Sequence, residues 1–152
     1  MKAIAALSAG VMLMTSTSEA APPRPTVQHF TMPPINGTPA PFSKAVRVGD
    51  ILYLSGVIGR SAEGKVPEGI EAQTKAAMDD IGATLKAAGL GYADIFHCTV
   101  FLSDMKTWPA FNKVYVGYFP ARQLPARSAL GVSALARPGA LMEIECQAYA
   151  GR

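Results

Sequence analysis

The chain has 152 residues, with 14 Lys and Arg against 11 Asp and Glu, for a formal net charge of +3. Its cations are scattered rather than gathered in a run, which argues against an electrostatic footprint for nucleic acid. It carries no phosphate-binding glycine loop, nucleophile elbow or zinc-ligand spacing, so neither cofactor nor metal is expected.

The first residues are Met1-Lys2, an uncharged apolar stretch from Ala3 to Met14, and a small-residue exit ending at Ala20. This reads as a signal peptide over residues 1–20, with no cysteine at the exit to accept a lipid. The apolar stretch is too short to cross a bilayer as a helix. The mature protein is therefore expected to be periplasmic or secreted, with no membrane anchor. Residues 21–41 are rich in proline, from Pro22 to Pro41, and predict an extended, partly mobile segment rather than a second domain. The folded domain is expected over residues 42–152, a length that suits one core.

Ala45 to Val48 and Ile51 to Ile58 read as a hairpin across Gly49-Asp50, with Gly56 and Gly59 interrupting the second strand. Met78, Ile81, Leu85 and Ala88 recur at helical spacing in a helix over residues 69–88, which Gly89 ends. Phe96 to Leu102 follows as a strand. Thr107 is placed to cap a second helix, with Pro109 in its first turn and Phe111, Val114, Tyr115 and Tyr118 on its buried stripe. Ser128 to Leu135 and Leu141 to Tyr149 read as two closing strands joined by a hairpin-like turn, Arg137-Pro138-Gly139-Ala140. The order β-β-α-β-α-β-β predicts an α+β fold, a mixed sheet with two helices on one face. The uncovered face would expose apolar residues, so an oligomer is expected.

In the last strand, alternation puts Met142, Ile144, Cys146 and Ala148 on one face and Glu143 and Glu145 on the other. Arg127, 16 positions before Glu143, stands at the mouth of an apolar run. Arginine suits a carboxylate ligand because its planar fork meets both oxygens and keeps its charge. His97 and Cys98 are consecutive on a strand, so they face opposite ways and cannot share a metal. Cys98 and Cys146 fall on two predicted strands; they either pair in an oxidising compartment or remain two buried thiols.

Pro125-Ala126-Arg127-Ser128 and Glu143-Ile144-Glu145 resemble the closing signature of the reactive intermediate deaminase family, RidA/YjgF. Gly49-Asp50-Ile51-Leu52-Tyr53-Leu54-Ser55-Gly56, Thr99 to Met105 and Phe111-Asn112-Lys113-Val114-Tyr115 match further motifs in order, covering Pro39 to Ala150. The resemblance implies a chorismate-mutase-like RidA fold and a homotrimer with sites at subunit clefts. It also implies hydrolysis of small reactive 2-imino or enamine acids to 2-keto acids and ammonia. Arg127 would grip the substrate carboxylate and Glu143 would orient the attacking water, with Glu145 a structural partner. Ser55, Gly56, Asn112, Ala129 and Phe42 would line the substrate. Phe42 stands where the family usually has a tyrosine, and Ala129 where its best-known members have cysteine. The loss of the tyrosine hydroxyl keeps open an alternative, a non-catalytic binder of small carboxylates or a holdase-type chaperone.

Overall fold

The two-residue turn Gly49-Asp50, with Gly49 at φ 56°, sets the register of the first hairpin by pairing Val48 with Ile51. In this computed structural model, which describes residues 23–34, 37–61 and 63–151, that hairpin belongs to one six-stranded sheet. The segment read as a signal peptide, residues 1–20, lies outside the described residues.

The strands are β1 (Val27–Phe30), β2 (Ala45–Val48), β3 (Ile51–Leu54), β4 (Ile95–Leu102), β5 (Ala126–Gly131) and β6 (Met142–Tyr149). Their spatial order is β1-β2-β3-β6-β4-β5. β1 falls inside the proline-rich segment and pairs antiparallel with β2, so the sheet begins earlier than residue 42. Its place at the sheet edge tolerates the prolines that flank it.

The closing hairpin expected between the last two strands does not form. β6 inserts between β3 and β4, antiparallel to both, and β5 lies on the far side of β4, parallel to it. The Arg137-Pro138-Gly139-Ala140 segment therefore carries the chain across β4. Non-local pairing wins because β6 alternates strictly and buries Met142, Ile144, Cys146 and Ala148 in the centre of the sheet.

Helices α1 (Ile70–Ala87) and α2 (Trp108–Tyr115) cover the face that carries those residues. Met78, Ile81 and Leu85 of α1 are fully buried, as their spacing predicts, and Gly89 follows the helix at φ 76°. Thr107 does not cap α2: it is itself in a helical conformation, and its hydroxyl donates back to the Asp104 carbonyl. Cys98 and Cys146 face each other across β4 and β6 and are joined by a disulfide inside this core. The opposite face of the sheet carries Tyr53, Leu130 and Tyr149, each about half exposed, together with Glu143 and Glu145.

Candidate active site

Arg127 and Glu143 lie on opposite faces of the sheet. Across the ladder Arg127 stands beside Cys98, which pairs with Cys146, so Arg127 shares the helix-covered face. Glu143 pairs with Phe101 and shares the open face. A single chain thus holds two separate constellations, each with part of the expected chemistry.

The first is built on β5 and α2. The Arg127 guanidinium carbon sits 4.3 Å from the Trp108 ring centroid and 4.4 Å from that of Tyr115, with Phe111 at 5.8 Å. Trp108 and Phe111 stack 5.6 Å apart and nearly parallel, so the cradle is itself rigid. Trp108, Phe111 and Tyr115 recur at helical spacing on α2. In sequence that spacing reads as an ordinary core stripe, which is why Trp108 escaped notice as a site residue.

Burial inside this aromatic box lowers the Arg127 pKa, and the nearby Tyr115 hydroxyl partly opposes the shift. Burial likewise pushes the Tyr115 phenol up to about 12, with Arg127 opposing it. An arginine keeps its charge under such a shift. Three polar atoms here are buried with no hydrogen-bond partner: Arg127 Nη1, the Tyr115 hydroxyl and Asn112 Oδ1. Tyr115 and Arg127 lie close enough to influence each other, and the remaining hydrogen-bonding capacity of the guanidinium is open to a ligand. A cation stacked on rings with free N–H donors is suited to an anion. Ala129 continues the same face of β5 two residues on, packed against the core.

The second constellation lies at the end of β3. Phe42, Ser55, Gly56 and Glu143 line one cavity of about 290 Å³, together with Lys44, Val57, Ile58, Arg60 and Arg137. Val57 exchanges two backbone hydrogen bonds with Ile144, at 2.8 and 3.1 Å, and so ties this loop beside Glu143. Gly56 also lies against Glu143: a Cβ there would meet the carboxylate where it now stands, so a side chain would force Glu143 to move. Ser55 donates its hydroxyl hydrogen to the Ser43 carbonyl at 2.7 Å, which leaves its oxygen as an acceptor facing the cavity. Phe42 is 54% exposed at the rim.

Burial, and then the Glu145 carboxylate on the same face of the strand, raise the Glu143 pKa. Its charged form is therefore held in a place that favours a proton, which suits an acid–base group. Lys44 does not relieve it, being engaged by Asp80 of α1. Among the described residues no cluster of three or more His, Cys, Asp or Glu is arranged to hold a metal ion.

The chain belongs to the RidA/YjgF family: the family model described as Endoribonuclease L-PSP matches residues 35–150. It is 40% identical over 108 residues to the Reactive Intermediate Deaminase A, chloroplastic, of Arabidopsis thaliana, covering 70% of this chain and 57% of that one. It is also 40% identical over 113 residues to the 2-iminobutanoate/2-iminopropanoate deaminase of Mus musculus, covering 73% of this chain and 82% of that one. Among solved structures, the Rid-family protein YyfA of Yersinia pestis superposes with a TM-score of 0.74 at 33% identity, covering 82% of this chain and 99% of that one.

Proposed function

We propose that this protein is a hydrolytic deaminase of small 2-imino acids, with each site assembled from the Arg127 constellation of one copy and the Glu143 cavity of another. The observation that carries the reading is the pair of incomplete halves. One is a half-buried cation with an unpartnered donor; the other is a carboxylate on the opposite face of the sheet, out of that cation's reach within one chain. The relatives named deaminases support the reaction class.

Arg127, fixed by Trp108 and Tyr115, would bind the substrate carboxylate through two parallel N–H···O bonds and so orient the imine carbon. Glu143 would take a proton from water as the oxygen adds to that carbon and deliver it to the nitrogen. A second proton then moves from the new hydroxyl to that nitrogen, the C–N bond breaks, ammonia leaves, and the C=O of a 2-keto acid forms. Hydrolysis consumes one water and needs no oxidant. The open sheet face, with Tyr53, Leu130 and Tyr149 exposed, supplies an apolar surface for the association, and a homotrimer is the assembly we propose.

We further propose that the mature protein works outside the cytosol. The Cys98–Cys146 bond supports this, since disulfides persist in oxidising compartments. An amino-acid oxidase is the class of enzyme that would supply an imine there.

The test generates 2-iminopropanoate in situ with an amino-acid oxidase and traps what survives as its semicarbazone. Wild type is expected to deplete the trapped adduct and Arg127→Ala to leave it at the level without enzyme. Equal adduct with both proteins would refute the deaminase and favour a carboxylate-binding role for the same arginine.

A further inference from the structure

Two arginines on different loops reach the cavity that holds Glu143. Arg60 follows β3 and Arg137 precedes β6, and both are exposed at the cavity wall. Neither makes an ion pair or a side-chain hydrogen bond among the described residues. Nothing in the family motifs assigns them a role.

Both loops meet one residue of α1. Gln73, 1% exposed, donates from Nε2 to the carbonyls of Pro67 and Gly139, at 2.9 and 3.0 Å, and accepts the Leu141 N–H at 2.8 Å. That pins the loop carrying Arg137. The Gln73 backbone carbonyl packs against Gly59 so closely that a Cβ at that position would collide with it. The loop carrying Arg60 therefore lies directly against the same helix turn, while the buried amide bonds the loop carrying Arg137.

The charges around the cavity do not balance within the chain. Lys44 is paired with Asp80, and Glu143 carries the one remaining carboxylate of the lining. Two cations, unpaired among the described residues, line the same cavity, and burial weakens the hold of that single carboxylate on its charge. The wall between them is apolar, formed by Phe42, Val57 and Ile58. Such a cavity fits a short methylene stem ending in a second acid.

We propose that Arg60 and Arg137 form a second anion-binding point, which takes the side-chain carboxylate of a dicarboxylic 2-imino or 2-keto acid. The inference deepens the deaminase reading and rests on it for the word substrate, but the anion point itself is a matter of binding. In the assembled site Arg127 would hold the 2-carboxylate, Phe42 and Val57 would flank the methylenes, and the two arginines would meet the distal acid.

Titration calorimetry of the intact mature protein with 2-oxoglutarate and with 2-oxobutanoate separates the two acids by one carboxylate. Wild type is expected to bind 2-oxoglutarate about tenfold tighter. The preference should fall to within about twofold in the double variant Arg60→Gln/Arg137→Gln, and should shrink with added salt. Both positions are exposed, so the variant is expected to fold, and a circular dichroism spectrum and melting temperature like those of wild type confirm it. Equal affinities in wild type, a preference that survives in the variant, or no saturable binding of 2-oxoglutarate would each overturn the proposal. A dicarboxylate preference lost in the variant, with no imine turned over by wild type, would refute the deaminase reading alone and uphold the anion point.

Discussion

The Arg127 cradle and the Glu143 cavity are built by opposite physical means. Arg127 lies on the helix-covered face, half-buried against Trp108 and Tyr115, and its charge is kept by chemistry that does not titrate in water. Glu143 lies on the open face beside a second carboxylate, and its pKa is raised by burial and by Glu145. One half is rigid and permanently charged; the other is adjustable in charge. Under the proposed mechanism, orientation falls to the first group and proton transfer to the second, so the division between sheet faces is also a division of labour. Placing the two on opposite faces keeps Arg127 from holding Glu143 ionised within one chain. In the proposed assembly, joining them across copies lets substrate stand between them.

The contrast predicts different consequences for damage to each half. Glu143→Gln keeps the shape of the cavity and removes the proton acceptor. It should lower kcat/KM for imine hydrolysis by about 100-fold or more, with binding of 2-keto acids changed little. The same variant should be more stable than wild type at neutral pH. A carboxylate whose folded pKa is raised supports the folded state fully only below its unfolded pKa, and that support is lost as pH rises through the folded value. The stability gain of the glutamine variant should therefore vanish in acid, which thermal melts across pH would show.

Trp108→Ala leaves the arginine in place but removes the stacked ring that holds it. A cation–π contact contributes about 0.5–2 kcal/mol, so KM should rise about tenfold with kcat less affected. An equal loss in kcat would mean that the cradle acts on the chemical step and not on positioning alone. Glu145→Gln should have the smallest effect on rate. Its signature is in the pH profile: with the like charge gone, the acidic limb of kcat/KM should move to lower pH. A limb that stays put would show that Glu145 does not act on Glu143.

The parts of this organisation that depend on local periodicity were legible in the sequence. Alternation along Met142 to Tyr149 separated the core residues from Glu143 and Glu145, and the 3–4 spacing through Met78, Ile81 and Leu85 identified the buried stripe of α1. Long-range pairing was not legible. Two neighbouring strands across a short turn look like a hairpin, and only the six-stranded register shows β6 between β3 and β4. β1 was hidden by its flanking prolines, which an edge strand tolerates. Arg127, Glu143, Ser55, Gly56, Asn112 and Phe42 were all singled out by motif, yet no motif reveals which sheet face a residue takes once a strand changes neighbours. Trp108, Arg60 and Arg137 were missed because an aromatic at core spacing and an arginine in a loop are ordinary features until their surroundings are known.

The central claim, that one site draws on two copies, is tested most directly by subunit complementation. Arg127→Ala and Glu143→Gln, each inactive alone, would be co-expressed with separable tags and the mixed oligomer purified. If each site takes Arg127 from one copy and Glu143 from another, every mixed trimer restores both groups in one of its three sites, and activity should return to about one third of wild type. Mixed oligomers as inactive as either parent would contradict the account and place the whole site within a single chain.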